Sequence, residues 1–216
     1  MSKKIRCVLI RHGLTQGNIE KRYIGRRTDQ PLSEQGKELA VQKRPEYKDI
    51  IDNDALLISS PMTRARQTAA LITGREDIHI IDELTETDFG DFEGKNHSEL
   101  DGNERYQKWI DEGGMSGFPG GDDMKDYTAF VMAGFKKAID YLNSSDKAVS
   151  GQELVIVCHG GTIMSIMHAL TGKTPFGFLV NNLCGYVLDL ELEDGKISCL
   201  SYDRIGDRID IGSGYR

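Results

Sequence analysis

Apolar residues fall into short runs that alternate with longer one-sided stretches. Residues 5–10 are apolar and rich in β-branched side chains, and the run is too short for a helix, so it predicts a first strand. Residues 56–59, 78–81 and 154–158 read as three more buried strands. Between them the period is that of helices. One helix is expected from about Ser33 through Leu39 and Ala40, stopped by Pro45. Another follows residues 56–59, with Ser60 as cap, Pro61 in the first turn, Met62, Ala65, Ala69 and Ile72 at helical spacing, and Gly74 at its end. Tyr127, Val131, Phe135, Ala138 and Leu142 mark one stripe of a longer helix, and residues 163–170 are apolar nearly all round, as in a buried helix. Residues 185–202 read as two strands joined at Asp194-Gly195, a strong hairpin signal. Alternating strands and helices predict an α/β fold, a three-layer α/β/α arrangement on a mostly parallel central sheet.

The 216 residues suit a single domain, 1–216, with no repeat or linker. Residues 95–145 form a variable, helical and Gly-rich region in which Trp109 reads as a packing anchor. Acidic side chains outnumber basic ones by 34 to 27, a net charge of −7, which argues against a nucleic-acid partner. No apolar run approaches the roughly 20 residues of a membrane span, and the apolar run near the start ends at Arg11-His12. A cytoplasmic protein is expected. Cys7, Cys158, Cys184 and Cys199 form no C-x-x-C pair and read as structural filler.

The chemistry lies where strands end. In an open α/β sheet, ligands bind beyond the carboxyl ends of the strands. Arg11-His12-Gly13 follows the first strand, Arg64 opens the helix after the second, Glu86 lies just past the third, and His159-Gly160-Gly161 follows the fourth. Two guanidiniums offer donor forks to a tetrahedral anion. A helix starting at Gly160 adds backbone N–H groups and the positive end of a dipole. A histidine beside such cations is kept neutral and nucleophilic. A rim carboxyl can protonate a leaving group. This inventory fits phosphoryl transfer to histidine, with the arginines supplying the charge neutralisation that Mg²⁺ gives elsewhere; no metal or other cofactor is expected.

These segments resemble the motifs of the histidine phosphatase, or phosphoglycerate mutase-like, superfamily. LIRHGLTQGN (9–18) is similar to its signature, and GRRTDQPLSEQG (25–36), SSPMTRARQTA (59–69), ELTETDFGDFEG (83–94) and VIVCHGGT (155–162) continue the resemblance in family order. Within the phosphatase branch the texture is similar to that of α-ribazole phosphatases. The resemblance implies that His12 becomes phosphorylated, that Arg11, Arg64 and His159 hold the phosphoryl oxygens with Asn18 assisting, and that Glu86 is the proton donor. Leu14 departs from the Glu or Gln usual after RHG. PGGDD (119–123) stands where many phosphatases of the family read PGGES, and no arginine follows it on the long helix. Contacts made by that region to substrate are therefore open.

Other readings stand beside these. Asp88 and Glu93 compete with Glu86 for the acid's role. Lys21, Arg22, Arg26 and Arg27 form either a substrate-attracting rim, with Arg22 and Arg26 nearest the site, or plain solvated surface. His79, His97 and His168 read as surface or core histidines. Gly172-Lys173-Thr174 fails as a P-loop because its earlier glycine would fall at Met167. Asp52-Asn53-Asp54 reads as a turn. The expected function is a metal-independent phosphatase of small phosphomonoesters, acting on a small phosphorylated metabolite. A mutase of the same family is the alternative, though such mutases carry paired arginines between the acid and the second histidine, and here the only arginine between Asp88 and Asp122 is Arg105. A non-catalytic module that binds phosphate esters is the alternative from another class.

Overall fold

The computed structural model describes residues 2–114, 116–145 and 153–206; the rest of the expected domain 1–216 lies outside the described residues. Six strands, β1 (Lys3–Arg11), β2 (Leu56–Ser59), β3 (His79–Ile80), β4 (Glu153–Cys158), β5 (Gly185–Glu193) and β6 (Lys196–Ile205), form one sheet in the order β3-β2-β4-β1-β5-β6. The first four are mutually parallel, and β5 and β6 run antiparallel at one edge. The helices are α1 (Gln16–Ile19), α2 (Glu34–Ile50), α3 (Thr63–Thr73), α4 (His97–Leu100), α5 (Glu104–Asp111), α6 (Met124–Ser144) and α7 (Gly160–Thr171).

Side chains of a strand alternate between faces, and a sheet buried on both faces must be apolar at every position. On β1, Ile5, Cys7 and Leu9 join the core beneath α6 and α7, while Val8 and Ile10 join the core beneath α2 and α3. On β4, Leu154, Ile156 and Cys158 face the first core, and Val155 and Val157 the second. The expected three-layer α/β/α fold is therefore the fold observed. A third cluster, Phe92, Leu100, Tyr106, Trp109 and Phe118, anchors the Gly-rich region, and Trp109 Nε1 donates to Ser116 O at 3.1 Å, so it is a packing anchor as expected.

Several boundaries differ from expectation. Pro45 does not stop α2, which continues to Ile50. Proline leaves the carbonyl of Val41 without its helical donor, but Val41 is 49% exposed, so solvent can take that bond. Pro45→Ala is expected to stabilise the fold by about 1–2 kcal/mol, the helix gain less the entropy returned to the unfolded chain; thermal unfolding measures it. Pro61 precedes α3 rather than opening it, and Met62 occupies the N-cap without a side-chain bond. The capping oxygens come from Asp29, which accepts from Thr63 N and Thr63 Oγ1, each at 2.8 Å. β3 shrinks to two residues. α7 begins three residues before its apolar run, directly after His159. At the hairpin, Asp194 and Gly195 both take positive φ, 49° and 78°, as a tight two-residue turn requires.

Candidate active site

Three parallel strands end side by side, and the residue after each enters the site. His12 follows β1, Ser60 follows β2 and His159 follows β4. Backbone bonds set them level: His12 N donates to Cys158 O at 2.9 Å, and Ser60 N to Val157 O at 3.0 Å. The rings of His12 and His159 thus meet edge to face, with centroids 5.1 Å apart.

His12 is buried, and its Nδ1 lies 2.7 Å from Gly13 O. A carbonyl only accepts, so Nδ1 carries the proton. Nε2 then presents a lone pair, toward which Arg64 Nε points at 3.3 Å. Burial, then Arg64, then Arg11 push the His12 pKa well below the ordinary imidazole value. The ring is neutral and nucleophilic at Nε2. Gly13 N donates to Thr68 Oγ1 at 2.9 Å, which fastens this turn to α3.

Arg64 is fully buried and held from behind by carbonyls. Its Nη1 donates to Thr28 O at 3.0 Å, and its Nη2 to Ile24 O at 3.3 Å and Gly25 O at 3.2 Å. Arg11 Nη1 donates to Val180 O at 2.7 Å, while its Nε is buried with no partner among the described residues. A Cβ on Gly160 would lie 3.6 Å from that Nε, so the α7 N-terminus and the guanidinium share one space. An unpaired buried donor is costly, and an anion would satisfy it. His159 Nδ1 is likewise buried and has no partner among the described residues. Its pKa is well below ordinary, first from burial, then from Arg64, His12 and Arg11.

Glu86 completes the set. It is 6% exposed, and burial raises its pKa against the opposing pull of Thr87 N, Arg64, Gly161 N and Arg11. Its Oε1 accepts from Thr87 N at 2.9 Å and Tyr127 Oη at 3.3 Å, and its Oε2 from Gly161 N at 3.3 Å. Gly161 must be glycine here, because an added Cβ would overlap the Glu86 carboxylate. Of the rivals, Asp88 is paired with Arg27 at 2.8 Å, and Glu93 accepts from Gly25 N at 2.9 Å. Glu86 is the carboxyl that touches the α7 N-terminus.

Asn18 caps α1. Its Oδ1 accepts from Thr15 N at 3.1 Å and from Asn182 Nδ2 at 3.2 Å, leaving its own NH₂ to other acceptors. Three members of the expected basic rim, Arg22, Arg26 and Arg27, make ion pairs. Arg22 binds Glu20 and Glu99, each at 2.6 Å, and Gly94 O at 2.7 Å. Arg26 pairs with Asp122, but its backbone N donates to Thr87 O at 3.2 Å, so it lies next to Glu86. His79 stacks on Tyr141, His97 Nδ1 meets Tyr106 Oη at 3.2 Å, and His168 Nδ1 meets Lys173 O at 2.7 Å.

Sequence reasoning treated Ser60 as a cap and Tyr127 as one more residue of a stripe, and did not single out Asn182. A hydroxyl within an otherwise apolar helical stripe was the available signal for Tyr127. Asn182 carried none. Its Nδ2 reaches His12 O at 2.9 Å only because the chain before β5 passes beneath the His12 turn.

Neutral buried histidines also make the fold acid-sensitive. On unfolding, both rings regain their ordinary pKa near 6.5, so below about pH 6.5 the unfolded state binds more protons than the folded one. Stability is expected to fall with falling pH there, by up to about 1.4 kcal/mol per pH unit for each ring. Glu86, whose pKa is raised, opposes this with one group against two. Urea unfolding at about pH 7.5 and about pH 5.5 tests it, and His12→Gln should flatten the slope.

Two arginines and two histidines around one space, with a protonatable carboxyl at its edge, define a site for an oxyanion. The family description "Histidine phosphatase superfamily (branch 1)" matches residues 7–203, and the chain belongs to that superfamily. It is similar to a 2,3-bisphosphoglycerate-dependent phosphoglycerate mutase of Methylobacterium radiotolerans, 30% identical over 77% of this chain and 79% of the mutase. It is also similar to the adenosylcobalamin/α-ribazole phosphatase of Escherichia coli K12, 25% identical over 94% and 98% of the two chains. Among solved structures, a mycobacterial glucosyl-3-phosphoglycerate phosphatase complexed with VO3 superposes with a TM-score of 0.74 at 26% identity, over 90% of this chain and 96% of that one. The expected class, a phosphoric monoester hydrolase, is borne out by these phosphatase relatives. Among the described residues, no helix is long and apolar enough to cross a membrane.

Proposed function

We propose that this protein is a metal-independent phosphatase of small phosphomonoesters that carries the phosphoryl group on His12. The observation that carries the reading is the His12 ring, buried and neutral, with its proton committed to Gly13 O and Nε2 turned toward Arg64. In the first step Nε2 attacks phosphorus, the bond to the ester oxygen breaks, and that oxygen takes the Glu86 proton. In the second, water attacks phosphorus, the N–P bond breaks, and the Glu86 carboxylate takes the water's proton. Ester and water become alcohol and phosphate. Arg11 Nε, Arg64, His159, the Asn18 amide and the Gly160 N–H supply donors to the three equatorial oxygens. Arg26, though paired with Asp122, is the better placed of the two rim arginines to meet the alcohol part, since its backbone is bonded to Thr87 beside Glu86.

The Methylobacterium relative favours a second reading, a mutase that retains the phosphoryl group while its substrate reorients. Such an enzyme must grip a carboxylate. Arg105, the only arginine between Asp88 and Asp122, is 72% exposed and paired with Asp91 at 2.8 Å. That supports hydrolysis. Four unbridged cysteines suit a reducing compartment, and we place the protein in the cytoplasm with a small phosphorylated metabolite as its partner. Its charge of −7 supports neither nucleic acid nor a membrane surface as a partner.

Phosphate release across a panel of phosphorylated metabolites tests the reading. EDTA dialysis is expected to leave turnover unchanged, because Arg11 and Arg64 neutralise the anion. Vanadate, which adopts the five-coordinate geometry of the transition state, is expected to inhibit. Activity lost to EDTA and restored by Mg²⁺ would overturn the metal-independent mechanism.

A further inference from the structure

Both histidine rings are neutral, so each has one bare nitrogen, and function depends on which one. Gly13 O decides for His12. For His159 the only described partner is a hydroxyl, Ser60 Oγ, 2.7 Å from Nε2. A hydroxyl can donate or accept, and its other contact breaks the tie. Met62 N donates to the same oxygen at 3.3 Å, so Ser60 Oγ already accepts there. Were His159 Nε2–H also to donate to it, the hydroxyl proton would have no acceptor among the described residues. If instead the hydroxyl donates to Nε2, every group at this contact is satisfied.

We propose that Ser60 fixes the tautomer of His159: its hydroxyl donates to Nε2, the ring proton sits on Nδ1, and the buried Nδ1–H is held ready to donate to a phosphoryl oxygen. The opposite tautomer would turn a lone pair toward a dianion. The contact is set by the sheet, since β2 and β4 are hydrogen-bonded neighbours and Ser60 N donates to Val157 O at 3.0 Å. Ser60 and His159 have no exposed surface, so water does not compete for the bond. Burial, with Arg64, His12 and Arg11 adding to it, keeps the ring neutral so that a tautomer exists to be chosen. Ser60 is thus a positioning residue that acts through His159 and touches no substrate itself. The catalytic consequence rests on the phosphatase reading; the tautomer does not.

Long-range ¹H–¹⁵N correlation spectra of protein labelled at histidine read the tautomer directly, with His159 assigned by comparison with His159→Asn. The expected wild-type pattern is a protonated Nδ1 and a bare Nε2. In Ser60→Ala that preference should be lost, with kcat reduced by about 10- to 100-fold, toward the range for losing one aligned donor, and vanadate bound correspondingly more weakly. Ser60→Thr keeps the hydroxyl and should restore both. The wild-type spectrum alone decides the matter should either variant fail to fold. A protonated Nε2 in an enzyme that turns over overturns this inference and leaves the phosphatase reading standing. A protonated Nδ1 in a protein that hydrolyses no ester sinks the phosphatase reading and leaves the tautomer assignment standing. A folded Ser60→Ala variant with an unchanged His159 spectrum and unchanged turnover also overturns the inference.

Discussion

His12→Ala is expected to lower turnover by about 10⁴-fold or more, the scale seen when a covalent nucleophile is removed. With Nε2 gone, the remaining groups can bind an ester but cannot accept its phosphoryl group. Rapid quench of the wild type with labelled substrate should trap a phosphoprotein that is labile in acid and stable in base, and the variant should trap none. The fold should survive. A buried neutral histidine is itself a liability below neutral pH, so this variant is also expected to resist acid better than the wild type. Label retained by the variant would move the nucleophile elsewhere, His159 being the first place to look.

Glu86→Gln separates two kinds of substrate. An alkyl alkoxide leaves poorly and needs a proton as its bond to phosphorus breaks, whereas a nitrophenolate leaves unaided. Glutamine keeps the shape and can still accept from Thr87 N and Gly161 N, but it cannot give up a proton. The phosphorylation step with alkyl phosphates should therefore slow by about 10²- to 10⁴-fold, and with nitrophenyl phosphate by about tenfold or less. Burial raises the Glu86 pKa, which favours the protonated acid, while the Thr87 and Gly161 N–H groups and the neighbouring arginines pull the other way. The burst phase is the measurement to use, because in the proposed mechanism the same carboxylate acts as base in the hydrolysis step. Equal slowing of both substrates in the burst would remove Glu86 from the acid's role and return Asp88 and Glu93 to candidacy.

Much of this site was legible along the chain because its parts are local. The apolar runs at residues 5–10 and 154–158 could only be buried strands, and the rule that ligands gather at strand ends then placed Arg11, His12 and His159 on one rim. Arg64 was legible for the same reason, being the second residue of the helix after β2. Continuous apolar runs imply burial on both faces, and the structure divides the residues of β1 and β4 between two cores.

Only tertiary structure could decide the rest, because it depends on partners distant in sequence. Pro45 reads as a stop, since sequence does not reveal that Val41, whose carbonyl it orphans, is an exposed residue. Ser60 reads as a cap, yet the capping carboxylate is that of Asp29, 34 positions from the Thr63 it caps, and the serine is left for a histidine 99 positions away. What sets Glu86 apart from Asp88 and Glu93 is its contact with Gly161 across 75 positions, which no reading of the sequence displays. Composition and periodicity fix which residues are apolar and how they alternate, and so determine elements, layers and the rim on which the chemistry sits. Protonation states, tautomers and the division of a basic cluster into ion pairs depend on desolvation and on distances of a few ångströms, which exist only once the strands have been brought side by side.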